Sequence, residues 1–148
     1  MPVIKPFGST RVTDPMLIAR LDGLTVESAE AGGGRRCLTI GVRASSCFNA
    51  REIASGQAVI TYTRCPTADH GWRIVAGLTP NQTRSASVIA NSGTHSAERV
   101  SGSAFAFAFV LPNDGPKAPV MIDLHQTGGR TVMIRFPIGP DEHNYCHR

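Results

Sequence analysis

Several signatures that would disclose an activity are missing from this chain. It holds one tryptophan and two tyrosines, too few to build an aromatic platform for stacking single-stranded bases. No apolar run reaches the roughly 18 residues that a membrane-spanning helix needs, so no such span is expected. Residues 1–8 have neither the basic start nor the apolar stretch of a signal peptide. No C-x-x-C pair is present, which removes the usual zinc-ribbon and thioredoxin readings. There is no G-x-S-x-G elbow. No strand–helix–strand alternation occurs, so the nucleotide sites of parallel sheets are not expected. Neither an internal repeat nor a low-complexity block is found.

What is present is the material of one globular domain. The chain has 148 residues, of which 41% are hydrophobic. That length is enough to bury a core without a metal, and the composition is not that of a disordered chain. Lys and Arg number 15 against 11 Asp and Glu, a formal charge of +4. The basic residues are scattered along the chain, which reads as a solvated surface, and no nucleic-acid partner is expected.

Residues 1–34 read as an amino-terminal arm. Within it, Asp14 followed by Pro15, then Met16, Leu17, Ile18 and Leu21, and finally Gly23, predict a short helix over about 14–22. Residues 27–34, with three consecutive glycines, read as a flexible connector.

From Arg36 the apolar period becomes two. Leu38, Ile40 and Val42 alternate with Thr39, Gly41 and Arg43. An interruption follows, in which Asn49 and Glu52 have the spacing of a helix capping box. Val59–Thr63 is β-branched and aromatic, and it ends at Cys65-Pro66. Trp72–Leu78 and Arg84–Ala90 continue the pattern, with Ala86, Val88 and Ala90 on one face. Asn91-Ser92-Gly93 signals a hairpin. In 104–110, Phe105, Phe107 and Phe109 alternate with Ala104, Ala106 and Ala108. Gly128-Gly129 joins Val120–His125 to Thr131–Phe136. Short strands at this spacing predict an all-β fold, an antiparallel β-sandwich of seven or eight strands over residues 35–136, with a polar tail at 137–148.

Four cysteines, Cys37, Cys47, Cys65 and Cys146, fit two disulfides in any of three connectivities. The alternative is four small buried side chains in a reducing cytosol. The stretches Cys37–Val42, Ser46-Cys47-Phe48, Cys65, Val75–Pro80 and Ser103–Phe107 together resemble uncharacterised bacterial exported or lipoprotein-type β domains. The resemblance covers about residues 35–136. It implies a secreted or cell-envelope location, disulfides among the first three cysteines, and no activity. Cys146 falls outside the pattern.

Other constellations carry less. His143 and His147 have the four-residue spacing of two ligands on a helix, beside Cys146, but Pro137 and Pro140 precede them and a polar tail is the reading. Asp69 and His70 beside Trp72 could line a pocket, but Trp72 is expected in the core. Gly32–Arg36 resembles a phosphate loop but lacks G-K-[ST] and opens a strand. Asn81-Gln82-Thr83 fits the glycosylation pattern. Asp123 and His125 lie two apart on a strand and share a face. With Ser101 or Ser103 they would make the residues of a hydrolase, and otherwise they are the wet face of an edge hairpin.

Three readings follow. The favoured one is a non-catalytic secreted or cell-envelope β domain that binds a protein, or a second copy of itself, through a sheet face or edge. The small side chains of Ala104, Ala106 and Ala108 mark the face where another layer would approach. The others are a small Ser/His/Asp hydrolase and a cytosolic or virion structural subunit with reduced thiols. No cofactor is expected.

Overall fold

The structure is a computed structural model that describes residues 7, 10–21, 23–64, 72–80, 83–90, 93–99, 105–112, 120–129 and 131–136. Chain order gives β1 (Val12–Leu21), β2 (Leu24–Ala31), β3 (Arg35–Ile40), β4 (Ala44–Phe48) and α1 (Ala50–Ala54). Then come β5 (Val59–Arg64), β6 (Trp72–Leu78), β7 (Thr83–Ala90), β8 (Gly93–Arg99), β9 (Ala106–Pro112), β10 (Val120–Gln126) and β11 (Thr131–Phe136). The fold is all-β, and every strand pair is antiparallel. The strands form three sheets, ordered β1-β2-β3-β4, β5-β6-β9 and β11-β10-β7-β8.

The amino-terminal region departs from expectation. Residues 12–21 form strand β1 where a helix was predicted, and the connector at 27–31 is the second half of β2. Asp14-Pro15 is a β-bulge, not a helix start. The register runs from Thr13↔Glu30 to Met16↔Ser28, so one extra residue is accommodated there, and Asp14 takes a positive φ of 50°. Proline costs little in this position. β1 is the edge of its sheet, and a bulge leaves unpaired the ladder position that proline cannot donate to. The three glycines form a tight loop, Gly32–Gly34, between β2 and β3, and the Nε of Arg35 donates to Gly32 O at 3.1 Å. Residues 12–31 therefore belong to the same sheet as β3. The tail at 137–148 lies outside the described residues.

The interruption after β3 is itself structured. Thr39, fully buried, places its hydroxyl 2.6 Å from Gly41 O and 3.0 Å from Ala44 O, bracing the turn into β4. Val42 sits on that turn and is exposed, off the strand face predicted for it. The capping box forms as the spacing required: Asn49 Oδ1 accepts from the Glu52 N–H, and Glu52 Oε1 accepts from the Asn49 N–H. α1 then points Ile53 into the core.

That core lies between the first two sheets. Val26, Leu38 and Ile40 of the first sheet pack with Ile74, Ala76, Leu78, Ala106 and Ala108 of the second, alongside Phe48 and Ile53. The second sheet is buried on its other face too, at Val75, Phe107 and Phe109. The large and small faces of β9 read from the sequence are real, and the alanine face lies inside the chain. Ala106 and Ala108 are buried against the first sheet, so the layer their small side chains admit is β1–β4 of the same chain and not a partner. Ala104 lies outside the described residues. Among the described residues no helix is long and apolar enough to cross a membrane.

Candidate functional site

Asp123 and His125 share one face of β10, while Ile122 and Leu124 are buried on the other. The alternation follows from the two-residue period of a strand. β10 is not part of an edge hairpin, however. It lies between β11 and β7 in the third sheet, and both neighbours pair with it over its length. Its side chains are therefore set on a strand held from both sides.

The serine that meets them is Ser87 of β7. Ser87 is registered directly opposite Asp123, and Ser85 opposite His125. Ser87 Oγ lies 3.3 Å from His125 Nε2. The contact suits either tautomer, because the hydroxyl donates to a bare Nε2 or accepts from a protonated one. Ser101 and Ser103 lie outside the described residues. Opposite Ser87 on its other side the β7–β8 register slips by one residue, a bulge between the pairs Ala86↔Glu98 and Val88↔His95. Past the register shift near the end of the β7–β10 pairing, the Nε2 of Gln126 donates to Thr83 Oγ1 at 3.1 Å, with both residues buried.

Two buried side-chain oxygens have no hydrogen-bond partner among the described residues, Thr79 Oγ1 and, within this cluster, Asp123 Oδ1. Leaving a buried acceptor unpaired costs about 1–3 kcal/mol, and more for a charged one. Asp123 Oδ1 does not hold the imidazole of His125, so among the described residues it does not complete, with Ser87, the relay of nucleophile, base and orienting acid that acyl transfer uses. Ser87 is also buried at mid-strand, whereas an attacking serine is presented on an exposed sharp turn. What the cluster can do is hydrogen-bond: a carboxylate oxygen, a hydroxyl and an imidazole lie on one face, carried by two paired strands.

Sequence reading found Asp123 and His125 and missed Ser87. Ser85 and Ser87 do alternate with Ala86 and Val88. Nothing in that alternation reveals that β7 lies beside β10, a pairing that spans 38 residues for the Ser87–His125 contact.

Of the cysteines, Cys37 and Cys47 form a disulfide across directly registered positions of β3 and β4. Cys65 and Cys146 lie outside the described residues, as do Asp69, His70, Asn81, His143 and His147. No group of three or more His, Cys, Asp or Glu side chains among the described residues could hold a metal ion. The Gly32–Arg36 stretch opens a strand, as expected, and so offers no helix terminus to an anion. Beside it, Arg36 is half-buried, and desolvation pulls its pKa below the usual guanidinium value. The charge of Glu30, its registered neighbour, opposes that shift. Comparison with known protein families, with curated proteins and with solved structures finds no match for this chain.

Proposed function

We propose that this chain is a non-catalytic β module of an oxidising, extracytoplasmic compartment, secreted or in the cell envelope, that works by binding. Its binding site is the largely buried polar cluster of Ser87, Asp123 and His125 on the third sheet. The observation that carries this reading is the buried, unpartnered Oδ1 of Asp123. A fold that keeps an acceptor in that state forgoes stability, and a ligand that supplies the missing bond would account for it. The complementary group is a cationic donor, an ammonium or guanidinium of a partner protein, whose bond to a carboxylate is charge-assisted. The Cys37–Cys47 disulfide supports the location, since such bonds persist outside the reducing cytosol.

The test uses methylguanidinium as the minimal probe, followed by NMR at the Asp123 carboxyl carbon and the His125 ring. Saturable shifts are expected in the native chain and not in Asp123→Ala. Shifts that persist in Asp123→Ala would remove the site. Covalent capture of Ser87 by a fluorophosphonate would replace binding with hydrolysis.

A further inference from the structure

The outer face of the first sheet carries a small second core, distinct from the one between the sheets. Ala29 of β2, Cys37 of β3 and Cys47 of β4 lie in one registered row across the three strands. Phe7 packs onto this row, in a cluster with Ala29 and Cys37 against which Val12, Ala31 and Cys47 also pack. A backbone bond joins the Thr10 N–H to Phe7 O at 3.2 Å, just before β1 begins. Alanines beside the disulfide leave room for the ring. The two sulfur-bearing residues are covered unequally, because Cys37 is 1% exposed while Cys47 is only partly buried.

Thiol–disulfide exchange is a displacement in which the incoming thiolate must reach one sulfur and the other must leave as a thiolate. Here Cys47 is the less covered residue of the pair, which favours attack at its sulfur. The leaving sulfur is that of Cys37, which would develop its negative charge inside an apolar cluster, where a thiolate is disfavoured. We propose that Phe7 is the gate of this disulfide: a dithiol reductant attacks at Cys47 Sγ, and does so at an appreciable rate only once Phe7 lifts from the Ala29–Cys37–Cys47 row. In the first step the reductant's sulfur bonds to Cys47 Sγ, the Sγ–Sγ bond breaks, and Cys37 leaves as a thiolate that takes a proton. In the second, the reductant's other thiol displaces Cys47, also released as a thiolate and protonated. The dithiol ends as its cyclic disulfide, having given two electrons. With Phe7 seated the staple resists reductants, and with Phe7 lifted it becomes a redox site addressed through Cys47.

The experiment measures the rate of reduction by dithiothreitol in the folded chain, read by alkylation and intact mass. Phe7→Ala is expected to accelerate it by about tenfold or more, equivalent to an opening easier by about 1.4 kcal/mol. Ile53→Ala is the control, since Ile53 belongs to the inter-sheet core on the opposite side of the first sheet. It lowers global stability without uncovering the disulfide. Should Phe7→Ala not fold, Phe7→Leu carries the same comparison with a smaller acceleration. Acid-quenched mixed disulfide is expected on Cys47, with Cys37 alkylated. The proposal is overturned if the Phe7 variants are reduced no faster than native, if Ile53→Ala accelerates as much, or if the mixed disulfide forms on Cys37.

Discussion

Gly77 and Phe107 occupy opposed positions of β6 and β9, and the phenyl ring lies where a side chain at 77 would stand. A Cβ built at Gly77 would fall 2.5 Å from Phe107 Cζ. Glycine is required there by close approach, since no positive φ is involved. Gly77→Ala should destabilise by about 1–3 kcal/mol through overpacking. Truncating Phe107 should cost less in the Gly77→Ala background than in the native chain, a coupling that urea melts of the four proteins would measure. Asp123 is predicted to behave in the opposite sense. Asp123→Ala removes an unpaired buried acceptor, so stability should hold or rise by up to about 1 kcal/mol while guanidinium binding is lost. A large loss of stability on chemical denaturation would mean that this carboxylate is structural.

At the scale of elements, the clearest local signals gave correct local structure and the ambiguous ones were settled by neighbours. The Asn49–Glu52 capping box forms a helix five residues long. Such a helix has little stability of its own, so the cap and Ile53 hold it. Asn49→Ala should cost about 1 kcal/mol, read by thermal melting. Asp14-Pro15 is the contrary case. Its residues suit a helix start and a bulged edge strand equally, and only β2 alongside decides between them. β1 carries a second slip between Leu17 and Ala19, and the two bulges twist an edge that exposes Met16 and Leu17. Bulges and proline are devices by which an apolar edge avoids pairing with other chains.

At the scale of the whole molecule, the second sheet is the layer on which the rest depends, since it is buried on both faces. Ala106→Glu would place a charge opposite Leu78 in the apolar core between the first two sheets, where nothing solvates it. It should abolish cooperative folding, as seen by dichroism and near-ultraviolet signal, and not merely alter association. The Cys37–Cys47 bond closes a loop of sequence separation 10 within one hairpin. On the chain-entropy account its removal should cost about 2–3 kcal/mol. Replacing both cysteines by serine should therefore leave a folded but less stable protein, measurable as a lower denaturation midpoint.

The amino-acid sequence determined the fold class, the two faces of most strands, the hairpin at Gly128-Gly129 and the helix cap. Each of these rests on contacts within a few residues, where side-chain period and turn chemistry suffice. It also placed Asp123 and His125 on one face, because strand geometry alone requires that. Tertiary structure decided the rest: that Asp14-Pro15 is a bulge, that the alanines of β9 are covered by the chain's own first sheet, that Cys47 is the partner of Cys37, and that Ser87 is the residue beside His125. These outcomes depend on which strands lie side by side and which sheets face one another. Pairing of that kind is set by burial summed over the whole core, and periodicity within a strand carries no record of it.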